Sequence, residues 1–180
     1  MSCYQSSTDP DLYQTTGAAR TVSKYCQLMV YVIFSLVSTT PALALEHKEL
    51  TVEGAARSHH LQVEIARTSR ERAFGLMERE SLAADAGMLF IYAQDQPGDS
   101  GFWMYRTLIA LDIAFLGADG EIRAIHTMMP CRGEAKNCPS YRPGRPYRAA
   151  LEVNAGYFEQ HGIGLGDCVS LAGILEGCHR

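Results

Sequence analysis

The chain has no H-E-x-x-H pair, no G-x-S-x-G elbow, no P-loop and no dinucleotide fingerprint. The short signatures of zinc proteases, serine hydrolases and nucleotide-binding domains are therefore missing. Paired Cys or His ligands with two-to-four-residue spacers, the usual mark of structural zinc, are missing too. Nothing in the residues asks for a metal or a cofactor. Positive charge is also in short supply. With 16 Lys and Arg against 20 Asp and Glu, the net charge is −4, the wrong sign for releasing counterions from nucleic acid. Internal repeats are absent, and tryptophan occurs once, at Trp103.

What remains is 180 residues, 47% hydrophobic and 20% charged, enough for one globular domain with a sizeable core. The first 44 residues differ from the rest. Ser, Thr and Gln dominate up to Gly17, then Arg20 and Lys24 precede the apolar run LMVYVIFSLV (Leu28 to Val37), followed by Pro41 and Ala42-Leu43-Ala44. A positive flank, a short apolar run and an A-x-A site describe a secretory signal peptide. The expectation is export to the periplasm or beyond, with cleavage after Ala44 and a mature domain over 45–180. The rival is an uncleaved anchor over Tyr25 to Ala44, which would be the chain's one contact with a membrane. The long leader also suggests that translation starts downstream of Met1. Cys26 lies before the apolar run, so no lipid-attachment cysteine sits at the cleavage site.

Cleavage leaves Cys131, Cys138, Cys168 and Cys178, an even set in a compartment where disulfides persist. In PCRGEAKNCPSY the first two bracket Gly133 and Asn137. A Cys131–Cys138 bridge would contribute about 2 to 3 kcal/mol by restricting the unfolded chain. Pairing of Cys168 with Cys178 stays open.

Short β-rich runs recur along the mature chain. His60 to Ala66 alternates apolar and polar residues, with Leu61, Val63 and Ile65 on one face, the period-2 pattern of a half-buried strand. Thr68 is a candidate N-cap for a helix over Ser69 to Met77. GMLFIY (Gly87 to Tyr92) and FWMY (Phe102 to Tyr105) read as strands. LDIAFLGADGEIRAIH reads as a hairpin turning at Ala118-Asp119-Gly120, where glycine supplies the positive φ of a tight turn. YRAALEVNAG gives a strand ending at Asn154, YFEQHG a short helix, and GDCVSLAG the last strand. About eight short strands with one or two short helices predict a mainly β single domain, a β-sandwich of jelly-roll type or a distorted barrel.

The segments GLMERESLAADAGMLF (Gly75 to Phe90), FWMYRTLIALDIAFL (Phe102 to Leu116), CPSY (Cys138 to Tyr141), LEVNAG (Leu151 to Gly156) and HGIGLGD (His161 to Asp167) resemble the domain-of-unknown-function family 192. The resemblance runs from about His60 to Ala172. It implies a compact, mainly β fold of jelly-roll type in a small exported protein, and it implies no reaction. One departure stands out: where the family usually has Lys-Asn after FWM, this chain has Tyr105-Arg106.

Asp112 lies inside an apolar strand, on the face it shares with Ala110 and Ala114. A buried carboxylate needs a partner or loses its charge, and arginine, a fork that stays charged, is the natural partner. Arg79, Arg106 and Arg148 are the alternatives. The competing view makes Asp112 a general base, with His126 meeting it across the hairpin as an acid–base pair for a hydrolase or lyase. Trp103, on the face opposite Phe102 and Met104, either packs in the core or lines a cleft beside Asp112. The Arg132–Arg148 loop sets Arg132, Lys136, Arg142, Arg145 and Arg148 against Glu134, a net of about +4, with Tyr141 and Tyr147 interleaved. Such a patch suits a small anionic molecule or an anionic envelope polymer. Glu152 and Asn154, on one strand face just after it, would complete a pocket. The expected ligand-binding set is thus Arg79, Trp103, Arg106, Tyr141, Arg148, Glu152 and Asn154. The expected function is an exported binding or accessory module.

Overall fold

Alternation in the first described segments produces a hairpin. Glu46–Glu53 (β1) pairs antiparallel with Ser58–Ala66 (β2), sending Leu50, Val52, Leu61, Val63 and Ile65 into the core. The computed structural model describes residues 45–175, 177 and 178. The signal-peptide and anchor expectations, on residues 1–44, lie outside the described residues.

Thr68 caps a helix as expected. Its hydroxyl accepts from Glu71 N–H, and the Glu71 carboxylate accepts from Thr68 N–H, a closed capping box. This helix, Ser69–Phe74 (α1), stops three residues before the expected Met77, because Gly75 turns to φ 53°. It forms part of the crossover to Ala86–Gln96 (β3), which lies parallel to β2. Phe102–Trp103 (β4) is shorter than the expected FWMY strand and pairs with Ser140–Tyr141 (β7) in a separate two-stranded sheet.

Leu111–Leu116 (β5) and Ile122–Met128 (β6) form the hairpin read from the sequence. Gly120 at its turn has φ 84°, and a Cβ there would stand 2.2 Å from the Val169 carbonyl oxygen. Only glycine meets both constraints. Tyr147–Asn154 (β8) inserts between β3 and β5. Tyr157–His161 (α2) and Cys168–Ser170 (β9) are the last helix and strand among the described residues.

The main sheet runs β6-β5-β8-β3-β2-β1-β9. It curls until its ends meet: Val169 N–H donates to Gly120 O at 2.9 Å and Ile122 N–H to Asp167 O at 2.8 Å. The mainly β expectation is met by this curled half-barrel with a second small sheet and, among the described residues, two short α-helices. Both faces of the central strands are covered. Leu111, Ile113 and Phe115 of β5 join one apolar cluster with Met88, Phe90 and Met104, while Ala114 and Leu116 join another with Val63, Leu89 and Val153. A strand buried on both faces reads as a continuous apolar run, which explains the segment around Asp112.

Candidate functional site

Asp112 is 3% exposed, and its partner is not an arginine. The Thr127 hydroxyl, directly opposite on β6, donates to its Oδ1 at 2.7 Å. Each of the three candidate arginines is spent elsewhere: Arg79 on Glu64, Arg106 on Glu78, and Arg148 on Asp95 at 2.8 Å. The guanidinium pair expected for Asp112 is therefore corrected to a hydroxyl bond. The physical reason is desolvation. Those arginines meet carboxylates at sites where the guanidiniums stay partly hydrated, whereas pairing inside the sheet would strip a second charge of water.

The Asp112–His126 pair is corrected as well. His126 stands opposite Ile113, one register position away, and its ring packs on the other face of the sheet, edge-on to Phe115 at 6.0 Å. A one-residue offset in a strand reverses the face. Its Nε2 lies 2.9 Å from the Arg142 carbonyl oxygen. A carbonyl only accepts, so that nitrogen carries the proton.

Glu152 and Asn154 share a face of β8 but do not share a pocket. Glu152 stands between Met88 of β3 and Ile113 of β5. It is 5% exposed and has no hydrogen-bond or ion-pair partner for its carboxyl among the described residues. Burial alone pushes its pKa up to about 8, so at neutral pH it is an uncharged acid. It lines a slot of about 30 Å³ with Thr107, Phe90, Phe102, Phe74 and Trp103. Trp103 is 47% exposed and Phe74 54%. Trp103 thus lines a cleft as the sharper expectation held, but beside Glu152 rather than beside Asp112.

Asn154 faces a different and larger cleft, of about 570 Å³, within the range of small-molecule sites. His59, Asp85, Tyr157, Gln160 and His161 also line it. The Asn154 Nδ2 donates to the carbonyls of Leu82 at 3.2 Å and Ala83 at 2.9 Å. Both amide hydrogens are used, leaving its oxygen to accept. His161 bonds the Tyr157 carbonyl through Nδ1 at 2.8 Å, so in the neutral ring its Nε2 also accepts. Tyr157 stacks on His161 with centroids 4.2 Å apart, and His59 meets His161 edge-on at 4.7 Å. His59, 8% exposed, has a buried Nε2 without a partner. Burial first, and the neighbouring His161 second, lower its pKa and keep it neutral. The cleft is rich in acceptors: the Asp85 carboxylate, the Asn154 oxygen and imidazole nitrogens. No cluster of three or more His, Cys, Asp or Glu among the described residues has the geometry to hold a metal ion.

Sequence reasoning missed His59, Asp85 and His161 as a group. The available signals were the His59-His60 doublet, whose members a strand sends to opposite faces, and the HG at the head of HGIGLGD. Within the basic loop, Cys131 and Cys138 are bridged, and so are Cys168 and Cys178, which settles the pairing left open. Arg132, Arg142 and Arg145 of this loop are exposed. Tyr141 uses its hydroxyl oxygen to accept from Met129 N–H at 3.1 Å.

No curated protein matches the chain. Two crystal structures are similar over most of their length. A Sinorhizobium meliloti 1021 protein described as a candidate transcription regulator is 32% identical, with 71% of this chain and 95% of that one covered and a TM-score of 0.63. A protein of unknown function from Novosphingobium aromaticivorans DSM 12444 is 34% identical, with 73% and 89% covered and a TM-score of 0.64. The model of domain-of-unknown-function family 192 (DUF192), described as an uncharacterized ACR family, matches residues 50–171. The segments that carry the resemblance build both the slot and the cleft, and the chain belongs to the DUF192 family.

Proposed function

We propose that this protein is an exported, envelope-associated binding or accessory module that takes a small hydroxyl-rich ligand, such as a sugar unit, in the His59–Asn154–His161 cleft. The observation that carries this reading is the cleft's excess of acceptors over donors in a space of about 570 Å³. Hydroxyl groups supply the missing donors, and the Tyr157–His161 stack offers an apolar face to a sugar ring. An anionic ligand would meet the Asp85 carboxylate instead. The exposed Arg132, Arg142 and Arg145 serve as a separate contact for an anionic envelope polymer. Two disulfides are consistent with an oxidising compartment.

The test is a titration of the ¹⁵N-labelled protein with neutral mono- and oligosaccharides, following shifts of cleft residues. At least one sugar should bind saturably, and Asp85→Ala should weaken it about tenfold or more, the usual effect of losing a hydrogen bond to a charged group. Binding of primary amines alone would replace the sugar class with a cationic one. Failure of every sugar at millimolar concentration would end the proposal.

A further inference from the structure

Apart from the Asn154 cleft, Glu152, Thr107 and Arg72 are the polar residues that line an otherwise apolar slot. We propose that this slot is a second binding site, which takes a carbonyl or similar uncharged hydrogen-bond acceptor carried on an apolar body, with the Glu152 carboxyl and the Thr107 hydroxyl as donors. It stands independently of the sugar reading, because no residue lines both the slot and the cleft.

Three features support it. First, Glu152 and Thr107 are both nine-tenths or more buried, and the carboxyl, within electrostatic reach of Tyr92, makes no hydrogen bond or ion pair among the described residues. A buried polar group that makes no hydrogen bond within the protein calls for an explanation, and an acceptor on a ligand supplies one. The slot's roughly 30 Å³ suits one small polar group rather than a whole molecule. Second, the surroundings suit an apolar body. Leu76, Met77, Phe90 and Phe102 line the slot, and the half-exposed Phe74 and Trp103 extend the apolar surface outward. Third, the two covering segments are held by a clasp. Glu78 N–H donates to Arg106 O at 2.9 Å, and the two side chains form an ion pair. Both residues take left-handed conformations, φ 64° and 58°, unusual for non-glycine residues. Such strain persists where the surrounding structure over-determines it, often at binding sites.

An acceptor is favoured over a cation by the charges present. Arg72 is part of the slot's lining, and its positive charge, held over the Tyr92 ring, disfavours an incoming ammonium, while the neutral acid donates where a carboxylate would accept. The pH dependence therefore has a definite sign. Donation by Glu152 is available below about pH 8 and lost above it, so an acceptor ligand binds more weakly as pH rises, while a cation would bind more tightly.

The chain's single tryptophan gives one indole N–H signal at the slot, read in ¹H–¹⁵N spectra. Cyclohexanone and benzamide are the acceptor probes, cyclohexylammonium the cation and methylcyclohexane the purely apolar control. Both acceptor probes should shift the indole signal saturably at pH 6 and bind at least tenfold more weakly at pH 9.5. Glu152→Gln, which still donates, should bind them at both pH values. Glu152→Leu, which keeps an apolar side chain of similar size, should weaken binding at pH 6 at least tenfold with the spectrum otherwise preserved. Tighter binding of cyclohexylammonium at high pH would overturn the inference, as would equal binding of methylcyclohexane. So would an indole signal that no probe moves.

Discussion

Replacing Glu152 by glutamine should stabilise the protein at neutral pH by an amount that depends on pH. The folded carboxyl ionises at about 8 instead of the ordinary 4.5. Between these values the unfolded chain has lost the proton and the folded chain keeps it. Folding then takes up a proton, and stability falls as pH rises. Each unit is worth about 1.4 kcal/mol, so the penalty is nil below pH 4.5, roughly 3 kcal/mol at pH 7, and about 5 kcal/mol once pH exceeds the folded value. Glutamine has nearly the same shape and never ionises. Glu152→Gln should thus unfold at higher urea at pH 7, with a gain of roughly 3 kcal/mol and on the order of 10 °C in Tm, and show almost no gain at pH 4.5. The difference between variant and wild type is the quantity to follow, because His59 works the other way. Its lowered pKa makes stability fall as pH drops below about 6.5, a loss present in both proteins. Urea unfolding at pH 5, 6, 7 and 8, read by Trp103 fluorescence, measures that difference. A gain that is constant across the four values would show that Glu152 is not a buried, unpaired acid and would remove the basis for the slot.

Three further outcomes follow from the geometry. Asp112→Asn should cost less than about 1 kcal/mol in urea unfolding, since Thr127 can still donate to the amide oxygen. A loss of 3 kcal/mol or more, the size expected for breaking a buried ion pair, would reinstate the arginine partner. Gly120→Ala should destabilise by about 3 kcal/mol or more in thermal unfolding, because its Cβ meets the Val169 carbonyl at 2.2 Å. A smaller loss would mean that β9 does not close against the hairpin. Finally, a 45–180 fragment recovered oxidised should show no free thiol until reduced, when Cys131, Cys138, Cys168 and Cys178 all react. Reduction should also lower its stability by about 2 kcal/mol or more, and thiols that react before reductant is added would argue against both bridges.

Several features were legible in the amino-acid sequence because their causes are local. The β2 alternation, the Thr68 cap, the Asp119-Gly120 turn and the Cys131–Cys138 loop each depend on residues within a few positions of one another. The family resemblance was legible as well, although a resemblance carries no geometry. The parallel pairing of β2 with β3 and the closure of β9 onto Gly120 were not foreseen, and the Cys168–Cys178 bridge was left open. Strand order depends on which surfaces bury one another across the whole chain, and period-2 patterning says nothing of neighbours.

The candidate site was legible in its residues but not in their grouping. Trp103 and Glu152 were singled out, yet only the tertiary structure places Trp103 with Glu152 and Asn154 with His161 and Asp85. Likewise, Arg79, Arg106 and Arg148 advertise a charge that any acid could take. Their choice of Glu64, Glu78 and Asp95 was decided by which carboxylates the fold brings close while leaving the guanidiniums partly hydrated. Sequence by itself determined the periodicities, turns and the excess of β structure, since these follow from backbone sterics and the alternation of side chains. The pairing of charges, the neutral state of Glu152 and the two pockets were decided by the tertiary structure alone, because burial and distance exist only once distant segments pack.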